Sequence, residues 1–224
     1  MLHAMLRAAA AAGGSYPDAV LADSPVAYWR LGETSGTVAV DEVGSHDGTY
    51  TGVTLGATGA ISDGDTAASF GGADDRMVPA DSAAFDVANL TIEAWVKTTG
   101  TRSFSIVGRD AAERSFQFRK IQSGELHFIP FVGGVHYSVT STTVVHDGNW
   151  HHVAATYDGA AAKVYVDGSL EATDSSMSGN LDAGVAPTIG VRSNDDYFIG
   201  DIDEVAYYGT ALSATRIAAH YSAA

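Results

Sequence analysis

Carboxylates are the first candidates for chemistry in this sequence, and Asp201-Ile202-Asp203-Glu204 places three of them within four residues. Glycoside hydrolysis needs two carboxylates roughly 5–10 Å apart across a sugar bond. On a strand, the neighbours Asp203 and Glu204 point to opposite faces, so they do not form that pair. No serine occupies a G-x-S-x-G elbow, and cysteine is absent, which removes thiolate nucleophiles, sulfur-ligated zinc and disulfides together. His151 and His152 face opposite ways on one strand, while His127, His136, His146 and His220 are scattered without the spacing of a metal site. Loop residues are better suited to holding a ligand than to transforming one. His136 and Tyr137 follow Gly133-Gly134, and Tyr197 follows Arg192-Ser193-Asn194-Asp195-Asp196. Loop order puts Arg109 and Arg114 on the same rim. Sugars stack their C–H faces on such rings while polar neighbours take the hydroxyls. The plain alternative is that these are ordinary exposed loop residues. Trp29, Trp95 and Trp150 are flanked by core-type positions and read as core.

These side chains must be carried by strands. Alternating or fully apolar stretches recur at residues 26–31, 90–97, 103–107, 115–121, 126–131, 137–142, 151–157, 163–166 and 198–208, separated by Gly, Asp, Asn and Ser. Asp158-Gly159 and Asp167-Gly168 are turn dipeptides bracketing residues 163–166, which makes a meander. The pattern is β from Tyr16 onward, with one helix at residues 214–221 capped by Ser213. The fold class is therefore all-β, a two-sheet antiparallel sandwich. The 224 residues carry 27 acidic and 12 basic side chains, a net charge of −15, and 46% of them are apolar. Enough apolar material is present to build a core, so wholesale disorder is excluded. The acidity argues against nucleic acid and anionic membranes as partners, and no apolar run approaches the ~20 residues that span a bilayer.

Specific strings sharpen the fold. Ala27-Tyr28-Trp29-Arg30-Leu31-Gly32-Glu33, Leu90-Thr91-Ile92-Glu93-Ala94-Trp95-Val96-Lys97, Trp150-His151-His152-Val153-Ala154-Ala155-Thr156-Tyr157-Asp158-Gly159 and Ile202-Asp203-Glu204-Val205 stand in that order. Together they resemble the laminin-G-like, concanavalin A-like jelly rolls. Glucanases of that fold carry three acids at i, i+2 and i+5 of one strand, and the third position here is Ala206, so the resemblance implies a protein that is not an enzyme. It also implies structural calcium, held by Asp41 of the Asp41-Glu42-Val43-Gly44 loop and by Asp203. Calcium takes six to eight oxygens. The opposite parity of Ile202 and Val205 predicts a bulge near Asp203 that would present it to an ion. The alternative is that Asp203 caps a loop through backbone N–H groups.

Residues 1–15 form a separate arm, and residues 16–224 the jelly-roll domain. Leu2, Met5 and Leu6 stand at i, i+3 and i+4 ahead of five alanines, a helical pattern that Gly13 and Gly14 end. A free helix so short is marginal in water, so this one is expected to dock on other subunits of an assembly through Leu2, Met5 and Leu6. A secretory signal, or an arm folded on its own domain, are the alternatives. The function expected is a non-catalytic, lectin-like display or binding module. It would be a phage decoration or tail protein on a virion surface that binds host glycans, or else a secreted carbohydrate-binding module of a bacterial surface.

Overall fold

A computed structural model describes residues 14–110, 114–192 and 196–224. The arm residues Leu2, Met5 and Leu6 lie outside the described residues. The first element is not a strand: Tyr16–Ala22 is a helix, α1. Its signals are local. Ser15 accepts a hydrogen bond from Asp18 N at 3.4 Å while the Asp18 carboxylate accepts from Ser15 N at 3.2 Å, a reciprocal cap that occupies two otherwise orphaned donors. Pro17 sits in the first turn, where its missing N–H is not needed. Tyr16 and Val20, one turn apart, supply the buried face.

Seventeen strands follow among the described residues: β1 Ala27–Trp29, β2 Val38–Ala39, β3 Gly48–Thr51, β4 Thr54–Thr58, β5 Thr66–Gly71, β6 Arg76–Pro79, β7 Leu90–Lys97, β8 Phe104–Asp110, β9 Arg114–Lys120, β10 Glu125–Val132, β11 Val135–His136, β12 Val139–Val144, β13 Trp150–Tyr157, β14 Ala162–Val166, β15 Ser169–Asp174, β16 Thr188–Ile189 and β17 Ile199–Tyr208. Helix α2, Ala214–Ser222, closes the chain with Ser213 as its cap. No helix of the described residues is long and apolar enough to cross a membrane. One sheet runs β15-β14-β13-β7-β17-β5-β4, with β1 also on β17; the other runs β11-β10-β9-β8-β16-β6-β3-β2, with β12 also on β10. All pairings are antiparallel, so the expected two-sheet sandwich is the observed one.

The core lies between the sheets. Ile92, Val96, Val153, Tyr157, Ile202 and Tyr207 of the first sheet face Phe104, Phe116, Phe118, Leu126 and Phe128 of the second. Each such side chain contributes about 1.5–3 kcal/mol by leaving water. Asp167 and Gly168, at φ 49° and 74°, turn β14 back onto β15 in one tight hairpin. The bulge expected near Asp203 is present: the β17–β7 register shifts between Asp203 and Ala206, and Glu204 takes φ 53°. That extra residue lets Ile202 and Val205 both reach the core. The outer face of the first sheet is closed by the two helices. Tyr16 and Val20 pack with Trp95, Tyr208 and Tyr28, and Arg216 on α2 pairs with Asp23 just after α1 at 2.8 Å.

Candidate functional site

With helices on the outside of the first sheet, the outer face of the second is open to a ligand. Period-two alternation decides what it carries. In β9, Phe116 and Phe118 enter the core, so Ser115, Gln117 and Arg119 point the other way. In β10, Leu126 and Phe128 enter the core, leaving His127, Ile129 and Phe131 outside. The register sets Gln117 beside Ile129 and Arg119 beside His127. On the next strand His136 lies opposite Phe131, with ring centroids 6.0 Å apart.

These side chains form a groove of about 200 Å³. Ile129 and Phe131 are its apolar part; Gln117, His136, Arg114, Arg119 and Arg192 are its polar part. The guanidinium of Arg114 lies over the Phe131 ring at 5.8 Å. Arg119 Nη2 is 3.3 Å from His127 Nδ1. Arginine only donates, so Nδ1 accepts, and the ring proton sits on Nε2, from where it can donate to Ser138 Oγ. Burial, then the positive charge of Arg119, pushes the His127 pKa down to about 4, so the ring is neutral at pH 7. Arg192 Nη1 donates to Asp196 at 3.1 Å. The turn before His136 is fixed by Asp182, whose two oxygens accept from Gly133 N and Gly134 N at 2.8 Å each.

Of the ligand residues expected from the sequence, His136, Arg192 and the accompanying Arg114 meet in this groove. Tyr137 does not line it: its side chain packs against the core, and its N–H donates to Pro130 O at 3.1 Å. Tyr197 is half-buried and does not line it either. Arg109 is a structural residue, 1% exposed. It donates to Val185 O and Gly184 O at 2.6 Å each, to Asp86 at 2.9 Å and to Phe85 O. A bulge between Arg109 and Asp110 goes with this departure from the rim that loop order implied. Gln117, Arg119, Ile129 and Phe131 were missed; the alternation Ser115-Phe116-Gln117-Phe118-Arg119 is the signal that finds them.

The two expected calcium ligands sit in different hydrogen-bonding settings. Asp41 is 2% exposed and fully used. Its Oδ1 accepts from Tyr28 N and Val43 N at 2.9 and 3.0 Å, and its Oδ2 from Ser45 N and His46 N at 3.0 Å each. These four N–H groups make the Asp41 carboxylate the tie that folds its loop. Asp203 differs. Its Oδ2 accepts from Ala60 N at 2.8 Å, while its buried Oδ1 has no hydrogen-bond partner in the described structure. Burial, then the charge of Glu204, pushes the Asp203 pKa up to about 8. Glu204, held by Tyr28 and by Arg30 Nε at 3.0 Å, is raised to about 7, chiefly by burial. An unpartnered buried carboxylate oxygen is a donor atom of the kind calcium takes; among the described residues no group of three or more metal-ligating side chains surrounds it.

Comparison with known proteins agrees with this architecture. The binding domain of Paraclostridial Mosquitocidal Protein 1 superposes with a TM-score of 0.73 at 14% identity, over 89% of this chain and 52% of that one. The binding domain of botulinum neurotoxin serotype D gives 0.71 at 14% identity, over 91% and 52%. This chain therefore spans about half the length of those toxin domains. Domain 4 of AbnA, a GH43 extracellular arabinanase from Geobacillus stearothermophilus solved with arabinotriose, gives 0.71 at 20% identity, over 88% of this chain and 98% of that one. At these identities the likeness is one of fold. A search of curated protein sequences finds no match. A family profile described as the concanavalin A-like lectin/glucanases superfamily matches residues 70–218, from within β5 to within α2. The chain belongs to that superfamily.

Proposed function

We propose that this domain is a non-catalytic carbohydrate-binding module that seats a sugar in the groove between β9, β10 and β11. The observation that carries the reading is the meeting of two apolar floor residues, Ile129 and Phe131, each 7% exposed, with a polar rim of Gln117, His136 and three arginines in one concavity. An apolar patch with a few placed polar groups is how proteins hold a sugar's two kinds of surface. The arabinotriose complex of the AbnA domain supports glycan as the ligand class. Catalysis is left out of the reading for two reasons. Ala206 stands where the glucanases carry an acid, and the described residues lining the groove include no carboxylate, while hydrolysis uses two. The reading holds for either placement expected from the sequence, a virion surface with residues 1–14 docked on other subunits, or an exported protein.

For the calcium that the resemblance implies, the supporting observation is the buried, unpartnered Asp203 Oδ1. We propose that Asp203 Oδ1 would contact the ion, which would supply structural charge neutralisation to a buried carboxylate. The experiment for the module itself is an oligosaccharide array probed with the whole chain, followed by calorimetry on the best ligand. The expected result is binding that Phe131→Ala abolishes and that His136→Ala, at an exposed lining position, weakens with the melting temperature retained. Absence of binding to every neutral and acidic sugar, or binding indifferent to Phe131→Ala, overturns the proposal.

A further inference from the structure

A second concavity lies beside the groove and is lined differently. It measures about 180 Å³ and sits between residues 86–88, ahead of β7, and residues 180–183, ahead of β16. We propose that the ligand is an oligosaccharide whose second ring, an uncharged one, sits in this concavity while its first occupies the groove; this rests on the carbohydrate-binding reading above.

Asp182 joins the two spaces. Its N–H donates at 2.9 Å to the carbonyl of Phe131, a residue of the groove, and its carboxylate fixes the Gly133-Gly134 turn ahead of His136, while the same residue lines the second concavity. The two walls of that concavity are also tied to each other. Leu181 N donates to Ala88 O at 3.4 Å, and Gly184 N donates to Asp86 Oδ1 at 3.4 Å. A space framed by bonded backbone keeps its shape, so little ordering is left for binding to supply.

The lining sets the chemistry of the ring. Leu181, 7% exposed, and the half-buried Val87 offer apolar surface to a sugar's C–H groups. The Asn180 amide is exposed, makes no hydrogen bond within the described residues, and can both donate and accept. Each Asp182 oxygen accepts from one N–H and has room for a second donor. Asp86 Oδ1 is engaged by Arg109 Nη2 at 2.9 Å, which offsets its charge, and Oδ2 has no partner among the described residues. Sugar hydroxyls are the donors such oxygens take. A carboxylate or sulfate would instead meet Asp182, in a chain of net charge −15, and like charges brought together are penalised. Size agrees with a chain of rings. Pockets for drug-sized molecules run to ~300–1,000 Å³; the groove and this concavity, about 200 and 180 Å³, each hold about one ring, and only the two together reach that range.

The test is an NMR titration of the full chain with oligosaccharides of one to four rings from arabinan, xylan and cellulose, and with the same lengths of any sugar that the array selects. Affinity is expected to rise about tenfold from one ring to two or three, as one or two net hydrogen bonds imply, and then to level off. Asn180→Ala, and Ala183→Trp, which fills the concavity from an exposed position, should each erase that gain while leaving single-ring affinity and the melting temperature unchanged. His136→Ala in the groove should weaken every length alike. Affinity independent of length, a gain that survives both variants, or binding confined to acidic sugars overturns this inference and leaves the carbohydrate-binding reading standing. Failure of every sugar, in the titrations and on the array, overturns both.

Discussion

Replacing Glu93 by glutamine removes the charge from a carboxylate on which three elements converge. Glu93 lies on β7, fully buried. It accepts from His152 Nε2 on β13 at 3.2 Å, from His220 Nδ1 on α2 at 2.9 and 3.1 Å, and from Tyr208 Oη on β17 at 2.6 Å. The far side of His220 donates to Asp23 at 3.0 Å, so that ring gives both its protons to carboxylates. Burial alone would raise the Glu93 pKa, but the hydrogen bonds and charge of His152 and His220 outweigh it and hold the group well below the usual carboxylate range. For His220, burial works downward and the bonds and charge of Glu93 and Asp23 outweigh it, so the imidazolium is favoured. Removing one partner from a buried ion pair typically costs ~3–5 kcal/mol, because the other is left uncompensated. At ~2–4 °C per kcal/mol for a domain of this size, Glu93→Gln should lower the melting temperature by about 6–20 °C.

The pH dependence has a definite sign. A depressed carboxylate contributes stability that is complete above the unfolded value of ~4.3 and is lost as pH falls through the folded one. A raised histidine contributes stability that is complete below ~6.5 and is lost as pH rises through its folded value. Together they give the parent a contribution that is greatest between roughly pH 4.3 and 6.5 and weakens on both sides. Scanning calorimetry of parent and Glu93→Gln at pH 5.5, 7 and 8.5 measures this directly, and the gap between them should narrow as pH rises. A variant within ~1 °C of the parent at pH 5.5, a small fraction of the ~6–20 °C shift worked out above, would refute the reasoning. So would a gap that widens toward pH 8.5.

Arg109→Met is expected to cost ~1–3 kcal/mol, since it strands the buried carbonyl of Phe85 and the part-buried carbonyls of Gly184 and Val185, while leaving groove affinity unchanged; chemical denaturation beside calorimetry separates the two effects. An ion held at Asp203 near a hundred times its dissociation constant adds about 2.7 kcal/mol, so chelator should lower the parent's melting temperature by roughly 5–11 °C and leave Asp203→Ala unmoved. Identical parent melts with chelator and with added calcium rule that ion out. In chelator the raised pKa of Asp203 makes the folded state favour the protonated group, so stability should then decline as pH climbs from ~3.9 toward 8.

What the sequence disclosed and what it hid have the same physical origin. Strands such as Leu90–Lys97 and Trp150–Tyr157 are legible because both of their faces are covered, one by the opposite sheet and one by the helices, so they read as continuous apolar runs. Thr54–Thr58 and Thr66–Gly71 were not separated from loop, because threonine, alanine and glycine give little contrast between faces. Helix α1 is written in its cap, Ser15 and Asp18, but its seven residues are too few for a hydrophobic period to show. The groove was only half visible for a related reason. Reading it from loops found His136 and Arg192, because exposed punctuation draws attention to loops. Arg119 and Gln117 sit inside a strand whose alternate residues Phe116 and Phe118 attract attention as core. In a sandwich with one sheet capped by helices, the polar half of each alternating strand in the other sheet is the surface left to meet a ligand. Arg109 marks the boundary of that rule: its strand is bulged, parity is broken there, and the side chain becomes a buried tie between the Phe85 and Val185 segments.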